Sequence, residues 1–330
     1  MKYAIVRLVA AAFALAAASA AFAQPVVMRL SHQVPPAHHL TKILEGFAAD
    51  VKQRTNGQVE VQLYGSEQLA KAAENYPQVA KGNLEAAASV NFQWGTTIPE
   101  MSVTLMPYEM GDLAKIKRFP TSDLRKLLDQ KLDARGVHSL MWCYITRETI
   151  ITSGKKPIVA VDDFKGVKIR GLNSMTDQGL IAAGAAPAAT PGSEVYQALQ
   201  AGVLDAGLTD LSAAYSRKYY EIQKFGTVGP IFTIYFHVYV NPAWWNKLSP
   251  ANRQAIEAAA AKAEQDSIAI TETTAAAALK DLQAKGMQIH VQTPQEEATW
   301  KATMEKPVVD AFLKSAPQDG GKAIELLRKL

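Results

Sequence analysis

The chain has 330 residues, with 35 Lys and Arg, 31 Asp and Glu, a formal net charge of +4 and one cysteine. This balance of charge, without a basic cluster interleaved with aromatic residues, argues against a nucleic-acid partner. The lone Cys143 cannot form an intramolecular disulfide, and such a thiol is usually buried and inert. A chain of this length is expected to form two lobes rather than one core.

The N-terminus has the pattern of a secretory signal. Lys2 and Arg7 give a basic start, residues 8–21 are apolar and alanine-rich, and residues 21–23 form an A-x-A cleavage site. The apolar run is too short and too poor in large residues for a stable membrane span, although a retained anchor is the alternative. We therefore predict a signal peptide over residues 1–23 and an exported mature protein.

The first part of the mature chain alternates between strand and helix patterns. Residues 59–64 alternate as a strand should, and residues 84–90 have the small, alanine-rich composition of a buried strand. The glycines at Asn56-Gly57 and Gly82 are expected to end the helices. The predicted elements are the strands Val26–Leu30, Val59–Tyr64 and Leu84–Val90 and the helices Leu40–Arg54 and Asn75–Lys81.

A short apolar run, Val167 to Leu172, predicts a strand that contains Arg170. Side chains in such a run are normally buried, and an unpaired buried charge costs several kcal/mol, so Arg170 needs an anionic partner. A guanidinium can hold a carboxylate through two parallel hydrogen bonds. The alternative is a structural ion pair with a neighbouring acid.

The following stretch repeats a pattern from the first part of the chain. A helix over residues 194–201 is expected to end at Gly202, before a strand over residues 204–208 and a polar turn at Thr209-Asp210. Residues 82–86 and 202–206 share the spacing G-x-L-acid-A after a short helix. This echo fits two lobes of similar topology.

The strongest long-range feature is a helix after Ser249. Ser249 is an N-cap residue, Pro250 occupies the first helical position, and residues 251–285 contain neither Gly nor Pro. About 36 residues at ~1.5 Å each span roughly 54 Å, which is longer than one small domain. The stretch lacks the apolar heptads of a coiled coil, so we expect one helix along both lobes.

Enzyme signatures are missing from the sequence. It contains no HExxH, G-x-S-x-G, Walker A or Rossmann glycine motif. His38-His39 suggests metal binding, but adjacent residues of an extended segment point apart, and a solvated loop is the favoured interpretation. We therefore predict no enzyme activity, no cofactor and no metal site.

The order of three motifs resembles a known family. K-I-R at 168–170, P-x-S-E-V-Y-x-A-L-Q-x-G-V-x-D at 191–205 and K-Y-Y-E at 218–221 resemble the DctP-type solute-binding proteins of TRAP transporters. The resemblance extends from Arg29-Leu30-Ser31-His32 past Leu248-Ser249-Pro250. Those proteins are periplasmic and capture small organic acids for a sodium-driven permease.

The resemblance implies an α/β, two-lobed periplasmic binding protein fold of type II-like topology, with a long helix bridging both lobes. The expected lobe I comprises residues 24–144 and 233–272, and lobe II comprises residues 145–232 and 273–330. The ligand cleft would lie between them. The expected partners are a small carboxylate ligand and the membrane permease subunits, and we predict a monomer.

The resemblance also implies a set of ligand-binding candidates. Arg170 would hold the ligand carboxylate with help from Arg147, for which a surface salt bridge is the alternative. For His32 and Gln33 the alternative is a strand-end residue hydrogen-bonded to the backbone, and for Asn173 and residues 91–94 it is a structural role in a loop or in the core. The further candidates are Asn173, Thr209, Asp210, His32, Gln33, Asn91, Phe92, Gln93, Trp94 and Phe236.

Two departures from the family pattern concern the ligand. Relatives commonly carry an aromatic ring where this chain has Gly192 and Asn where it has Thr209. The expected result is a roomier pocket for a bulky, possibly aromatic monocarboxylate, with a C4-dicarboxylate as the alternative. Two other functions remain open: a ligand-sensing subunit for a membrane kinase, and a periplasmic enzyme on the same fold.

Overall fold

A computed structural model describes residues 24–330, so the predicted signal peptide lies outside the described residues. The strands are β1 Val26–His32, β2 Val59–Tyr64, β3 Ala86–Val90, β4 His138–Thr146, β5 Thr149–Ser153, β6 Lys168–Gly171, β7 Ala186–Ala189, β8 Ala206–Asp210, β9 Phe225–Gly229, β10 Ile234–Val240 and β11 Gln288–Val291. The α-helices are α1 His39–Arg54, α2 Asn75–Ala80, α3 Leu113–Arg118, α4 Asp123–Asp133, α5 Asp177–Ala182, α6 Val195–Gln200, α7 Leu211–Ser216, α8 Pro242–Lys247, α9 Pro250–Ala284, α10 Pro294–Ser315 and α11 Gly320–Arg328. Short 3₁₀ segments include Asn91–Thr96 and Pro99–Leu105.

The strands form two sheets with the same core topology. The first sheet has the order β2-β1-β3-β10-β4, and the second, read from β7, has the order β7-β6-β8-β5-β9-β11. In each sheet the second and third strands are parallel, and the fourth runs antiparallel to the third. Leu30 is in register with Ala86 in the first sheet, as Ile169 is with Ala206 in the second. The predicted pair of lobes with similar topology is therefore confirmed.

The two G-x-L-acid-A segments form the same turn. Their glycines have φ values of 78° and 70°, a left-handed conformation that favours glycine. The backbone N–H of each leucine donates to the helix carbonyl six residues earlier, at 3.3 and 3.1 Å. Because these residues close the helix end, the strands begin at Ala86 and Ala206, two residues later than predicted.

The acidic residue of each segment caps a neighbouring strand. Glu85 accepts a hydrogen bond from the backbone N–H of Arg29 at 3.0 Å, and Asp205 accepts one from that of Lys168 at 3.2 Å. Each acid also pairs with a basic side chain, Glu85 with Arg29 and Asp205 with Lys155. The sequence echo thus specifies both the turn and the position of the adjacent strand.

Helix α9 runs along both lobes, as predicted. The Ser249 side chain accepts a hydrogen bond from the Asn252 N–H at its start, and 35 residues at ~1.5 Å each give roughly 52 Å. Its Ile256 side chain lies in the large core that includes the first sheet, whereas Leu282 packs in a second core beneath the other sheet.

Over residues 24–330 the chain passes between the sheets three times: at residues 147–148, at residues 230–233 and through α9. Strand β4 continues to Thr146, two residues past the predicted boundary of lobe I. Helix α11 packs against α4 of lobe I, and Lys131 pairs with Asp319 at 2.5 Å just before α11. The exact lobe boundaries stay a prediction. Within residues 24–330, no helix combines the length and apolarity needed to cross a bilayer.

Candidate functional site

Arg170 lies buried between the two lobes, with 3% of its surface exposed. Its Nε donates to the Thr190 carbonyl at 3.0 Å, and its Nη1 donates to the Leu208 carbonyl at 2.7 Å. Among the described residues it makes no ion pair with a carboxylate. The guanidinium carbon lies 5.8 Å from the ring centroid of Phe92 in lobe I, a cation–π contact.

Burial lowers the pKa of Arg170 to about 10. The charge of Arg217 acts in the same direction, whereas Tyr219 and the carboxylates of Asp210 and Asp177 oppose it. The guanidinium is therefore positively charged at neutral pH. Two of its donors are fixed by carbonyls of lobe II, which orients the group without neutralising it.

A small cavity lies beside Arg170, with a volume of about 20 Å³. Both lobes contribute to its wall. The lining residues are Gln33, Val34, His38, Val90, Phe92, Ile234 and Phe236 from lobe I and Arg170, Thr209, Asp210 and Arg217 from lobe II.

The topology explains why these residues meet. Gln33 follows the carboxyl end of β1, Val90 ends β3, and Asp210 ends β8. Ligand sites of open α/β sheets lie outside the carboxyl ends of parallel strands. The two similar sheets direct these ends toward each other, so the predicted candidates Arg170, Thr209, Asp210, Gln33, Phe92 and Phe236 line one cavity.

Arg217 was not predicted from the sequence. It follows α7, and its guanidinium rests against Gly192: a Cβ at position 192 would lie 2.7 Å from Arg217 Nη1. The expectation that Gly192 leaves free room is therefore wrong, because Arg217 occupies that space. The available sign of this contact was a glycine at 192 together with an arginine at 217. Because 25 residues separate them, the sequence does not show that they meet in space.

His38 and His39 are buried, so the predicted solvated loop is wrong. Their rings stack at the start of α1, with centroids 4.5 Å apart and planes inclined by 22°. His38 Nε2 lies 3.5 Å from Oδ1 of Asp210 in the other lobe. Burial would raise the pKa of Asp210, but His38 and His39 hold it below the usual range.

The donor atoms of His38, His39 and Asp210 lie within 4.8 Å of one another, so a metal site must be considered. The planes of the stacked imidazoles are inclined by only 22°, so their lone pairs lie in two nearly parallel planes, whereas zinc needs ligands that converge at ~2.0–2.1 Å. Coordination would require one ring to turn. As it stands, the cluster is a contact between the lobes.

Arg147 does not line the cavity. Its guanidinium pairs with Glu272 of α9, with Nη2 donating to Oε2 at 2.9 Å and Nε donating to Oε1 at 3.2 Å. The hydroxyl of Tyr144 donates to the same carboxylate at 2.7 Å. The structure therefore favours the alternative interpretation of Arg147, a salt bridge.

The remaining amide candidates make protein contacts around the cavity. Asn173 Nδ2 donates across the lobes to the Phe92 carbonyl at 3.1 Å and to Ser102 Oγ at 3.2 Å. Asn91 donates to Thr104 and to the Thr233 carbonyl inside lobe I. The Gln93 amide donates to Gln33 Oε1 at 3.0 Å and so positions a lining residue.

Trp94 and His32 lie away from the cavity. Trp94 packs edge-on against Tyr239, with ring centroids 5.0 Å apart, and is 2% exposed. His32 is buried beneath the loop at Gly65, and burial lowers its pKa to about 4. The structure thus assigns both side chains to the core of lobe I rather than to the cavity wall.

Comparisons with known proteins agree with this architecture. Residues 30–315 match the family described as bacterial extracellular solute-binding protein, family 7. The chain belongs to this family. It is 30% identical over 304 residues to the C4-dicarboxylate-binding periplasmic protein DctP of Rhodobacter capsulatus, covering 91% of this chain and 90% of that protein.

Solved structures of the family share the fold. A TRAP periplasmic solute-binding protein from Desulfovibrio salexigens with bound orotic acid superposes with a TM-score of 0.86 at 27% identity, covering 92% of this chain and 97% of that chain. One from Sulfurospirillum deleyianum with bound succinate gives a TM-score of 0.82 at 27% identity, with coverage of 92% and 99%.

These matches confirm the predicted resemblance to TRAP solute-binding proteins and the two-lobed α/β fold. Members of the family are receptors for solutes, which agrees with the prediction that the chain is not an enzyme. The bound molecules differ between the solved relatives.

Proposed function

We propose that this family 7 protein is the periplasmic receptor of a TRAP transporter, that it binds a small organic acid through Arg170, and that it delivers the acid to a membrane permease. The observation that carries the proposal is the buried, oriented Arg170 guanidinium beside a cavity between two lobes. A ligand carboxylate would supply the negative charge that the described residues do not place against it.

The chemistry of the pocket supports an acid as the ligand. Two guanidiniums face the cavity, and its only carboxylate among the described residues, Asp210, is already in contact with His38. Thr209 and Gln33 offer neutral polar atoms, and Phe92 and Phe236 offer apolar surface. This combination fits a small molecule with an anionic end and a short carbon frame.

The solved relatives support the same class. Orotic acid and succinate are bound in the two structures described above, and a Bordetella pertussis receptor of TM-score 0.84 and 25% identity binds pyroglutamic acid. All three molecules carry a carboxylate. Their different frames agree with one carboxylate-binding arginine and a variable remainder of the pocket.

The test combines a screen with two variants. Purified mature protein is screened against organic acids by thermal shift, and the affinity of the best ligand is measured by calorimetry. Removal of one partner from a buried charged pair costs ~2–5 kcal/mol, so Arg170→Ala should weaken binding at least roughly 30-fold. Arg170→Lys should also lose affinity, because an ammonium cannot reproduce the two-bond geometry.

Far-UV circular dichroism serves as the control for folding. A folded Arg170→Ala variant that binds the acid as tightly as the wild type would contradict the proposed role of Arg170.

A further inference from the structure

We propose that Arg217 is a second ligand-binding cation, and that it selects acids that carry a second anionic group. This inference rests on the proposed function, because it assumes that Arg170 holds the first carboxylate. The second group can be a carboxylate, a phosphonate or a sulfonate, since each presents the oxygen atoms that a guanidinium binds.

The position of Arg217 is set by the backbone around it. Its N–H donates to the Ala213 carbonyl at 2.9 Å and so closes the end of α7, while Asp210 caps the start of the same helix. One short helix therefore carries two of the residues that line the cavity. Arg217 is half-buried, and among the described residues its guanidinium forms no ion pair.

Gly192 allows the guanidinium to lie where it does. A Cβ at this position would be 2.7 Å from Nη1, 2.8 Å from Nη2 and 2.9 Å from Cζ of Arg217. These distances are far below van der Waals contact, so even alanine at 192 requires Arg217 to move. The backbone of Gly192 has an ordinary φ, which means that the close approach explains the glycine better than a turn does.

The charges around the cavity explain why Arg217 would favour a dianionic acid over a monoanionic one. Arg170 and Arg217 both face the cavity. Burial raises the pKa of the Tyr219 hydroxyl, and each of the two guanidiniums partly opposes this rise. Asp210 accepts from the Ala213 N–H and contacts His38, so it is not free to neutralise both guanidiniums. A monocarboxylate leaves one cation unpaired, whereas a dianion satisfies both.

The test uses two ligands of nearly equal shape and different charge. Succinate carries two carboxylates, and succinamate replaces one of them by a neutral amide. We expect the wild-type protein to bind succinate more tightly than succinamate by roughly 10- to 100-fold, the effect of one charged hydrogen-bonding contact. Glutarate and its monoamide test a frame that is longer by one carbon.

Arg217→Gln should reduce this preference to within about threefold, mainly by weakening the diacid. Lys218→Gln is the matched control. It removes an equal charge from the next residue, whose side chain is exposed. It should leave the preference unchanged.

Gly192→Ala tests the packing independently. It should displace the guanidinium and lower the preference, and it should have little further effect in the Arg217→Gln background. Circular dichroism confirms that each variant is folded.

The measurements separate a failure of this inference from a failure of the proposed function. Equal affinity for succinate and succinamate, or an Arg217→Gln variant that keeps the preference, would overturn this inference and leave the role of Arg170 intact. Failure of every carboxylate in the screen to bind would overturn the proposed function and this inference together.

Discussion

His38 Nε2 lies 3.5 Å from Oδ1 of Asp210, and this contact joins the two lobes at the edge of the candidate site. Each residue also caps a helix: His38 Nδ1 accepts from the Leu40 N–H at 3.1 Å, and Asp210 Oδ1 accepts from the Ala213 N–H at 2.8 Å. The two caps fix the side chains at the starts of α1 and α7. The contact between lobes is therefore held in place by local structure on both sides.

The first prediction concerns this contact. Asparagine can cap a helix at either position but cannot reproduce the imidazole or the charge, so His38→Asn and Asp210→Asn should retain both helices. The double variant should be less destabilised than the sum of the single variants, with a coupling of roughly 0.5–3 kcal/mol. Urea denaturation of all four proteins measures the coupling. Additive effects would show that the contact does not stabilise the arrangement of the lobes.

The second prediction concerns acid sensitivity. Burial lowers the pKa of His39 to about 3, against a smaller raising effect of the Ile145 backbone, and both ring nitrogens are buried. Below pH ~6.5 the unfolded chain therefore binds a proton at His39 that the folded protein does not bind. As the pH falls from ~6.5 toward the folded pKa, the free energy of unfolding decreases by roughly 1.4 kcal/mol per pH unit.

His39→Leu should remove this contribution. Between about pH 6.5 and pH 5 the variant should lose roughly 2 kcal/mol less free energy of unfolding than the wild type. At neutral pH it should be at least as stable, because it replaces a buried polar ring by an apolar side chain. Urea denaturation at several pH values measures both effects. A parallel decline of the two proteins with pH would contradict a neutral, buried His39.

Arg170 and Arg217 show what the sequence could and could not predict about the site. A charge in the apolar run of β6 is unusual enough to indicate function. Arg217 lies among polar residues after a short helix, where a basic side chain is ordinary, so only its tertiary contact with Gly192 reveals its position. The same contact explains why the expectation of a roomier pocket failed.

Two other segments have a local geometry that the sequence did not predict. Residues 91–96 form a 3₁₀ segment with about three residues per turn, so neighbouring aromatic side chains point in different directions. Phe92 reaches the cavity, and Trp94 enters the core. His38 is the extended N-cap of α1 and His39 is the first residue of the helix, and in this geometry the two rings stack. The strands and the long helix were predictable because their patterns are local.

The third prediction concerns movement of the lobes. The cavity of about 20 Å³ exceeds only slightly the ~10–15 Å³ that a single water needs, so an organic acid cannot enter while the lobes are arranged in this way. The lobes must separate to admit the ligand and close around it. Small-angle scattering should give a smaller radius of gyration with saturating ligand than without it. Identical curves in the two states would indicate a rigid binding module.

The fourth prediction isolates a hydrogen bond that favours closure. Asn173 donates through Nδ2 to the Phe92 carbonyl and to Ser102 Oγ in lobe I, whereas its Oδ1 accepts from the Met175 and Thr176 N–H groups within lobe II. Asn173→Asp keeps the acceptor and removes the donor. The local turn should therefore survive, while the contact between lobes becomes repulsive toward the Phe92 carbonyl.

Losing these hydrogen bonds and adding a repulsion should destabilise the closed state by about 1–3 kcal/mol. Ligand affinity should therefore fall roughly 5- to 150-fold. Because the contact forms only when the lobes are closed, the loss should arise from faster ligand dissociation, which stopped-flow fluorescence can measure. Asn173→Ser is the companion variant: it keeps a local acceptor without adding charge and should show a smaller effect. If Asn173→Asp releases ligand as slowly as the wild type, the hydrogen bonds of Asn173 to lobe I do not hold the closed state.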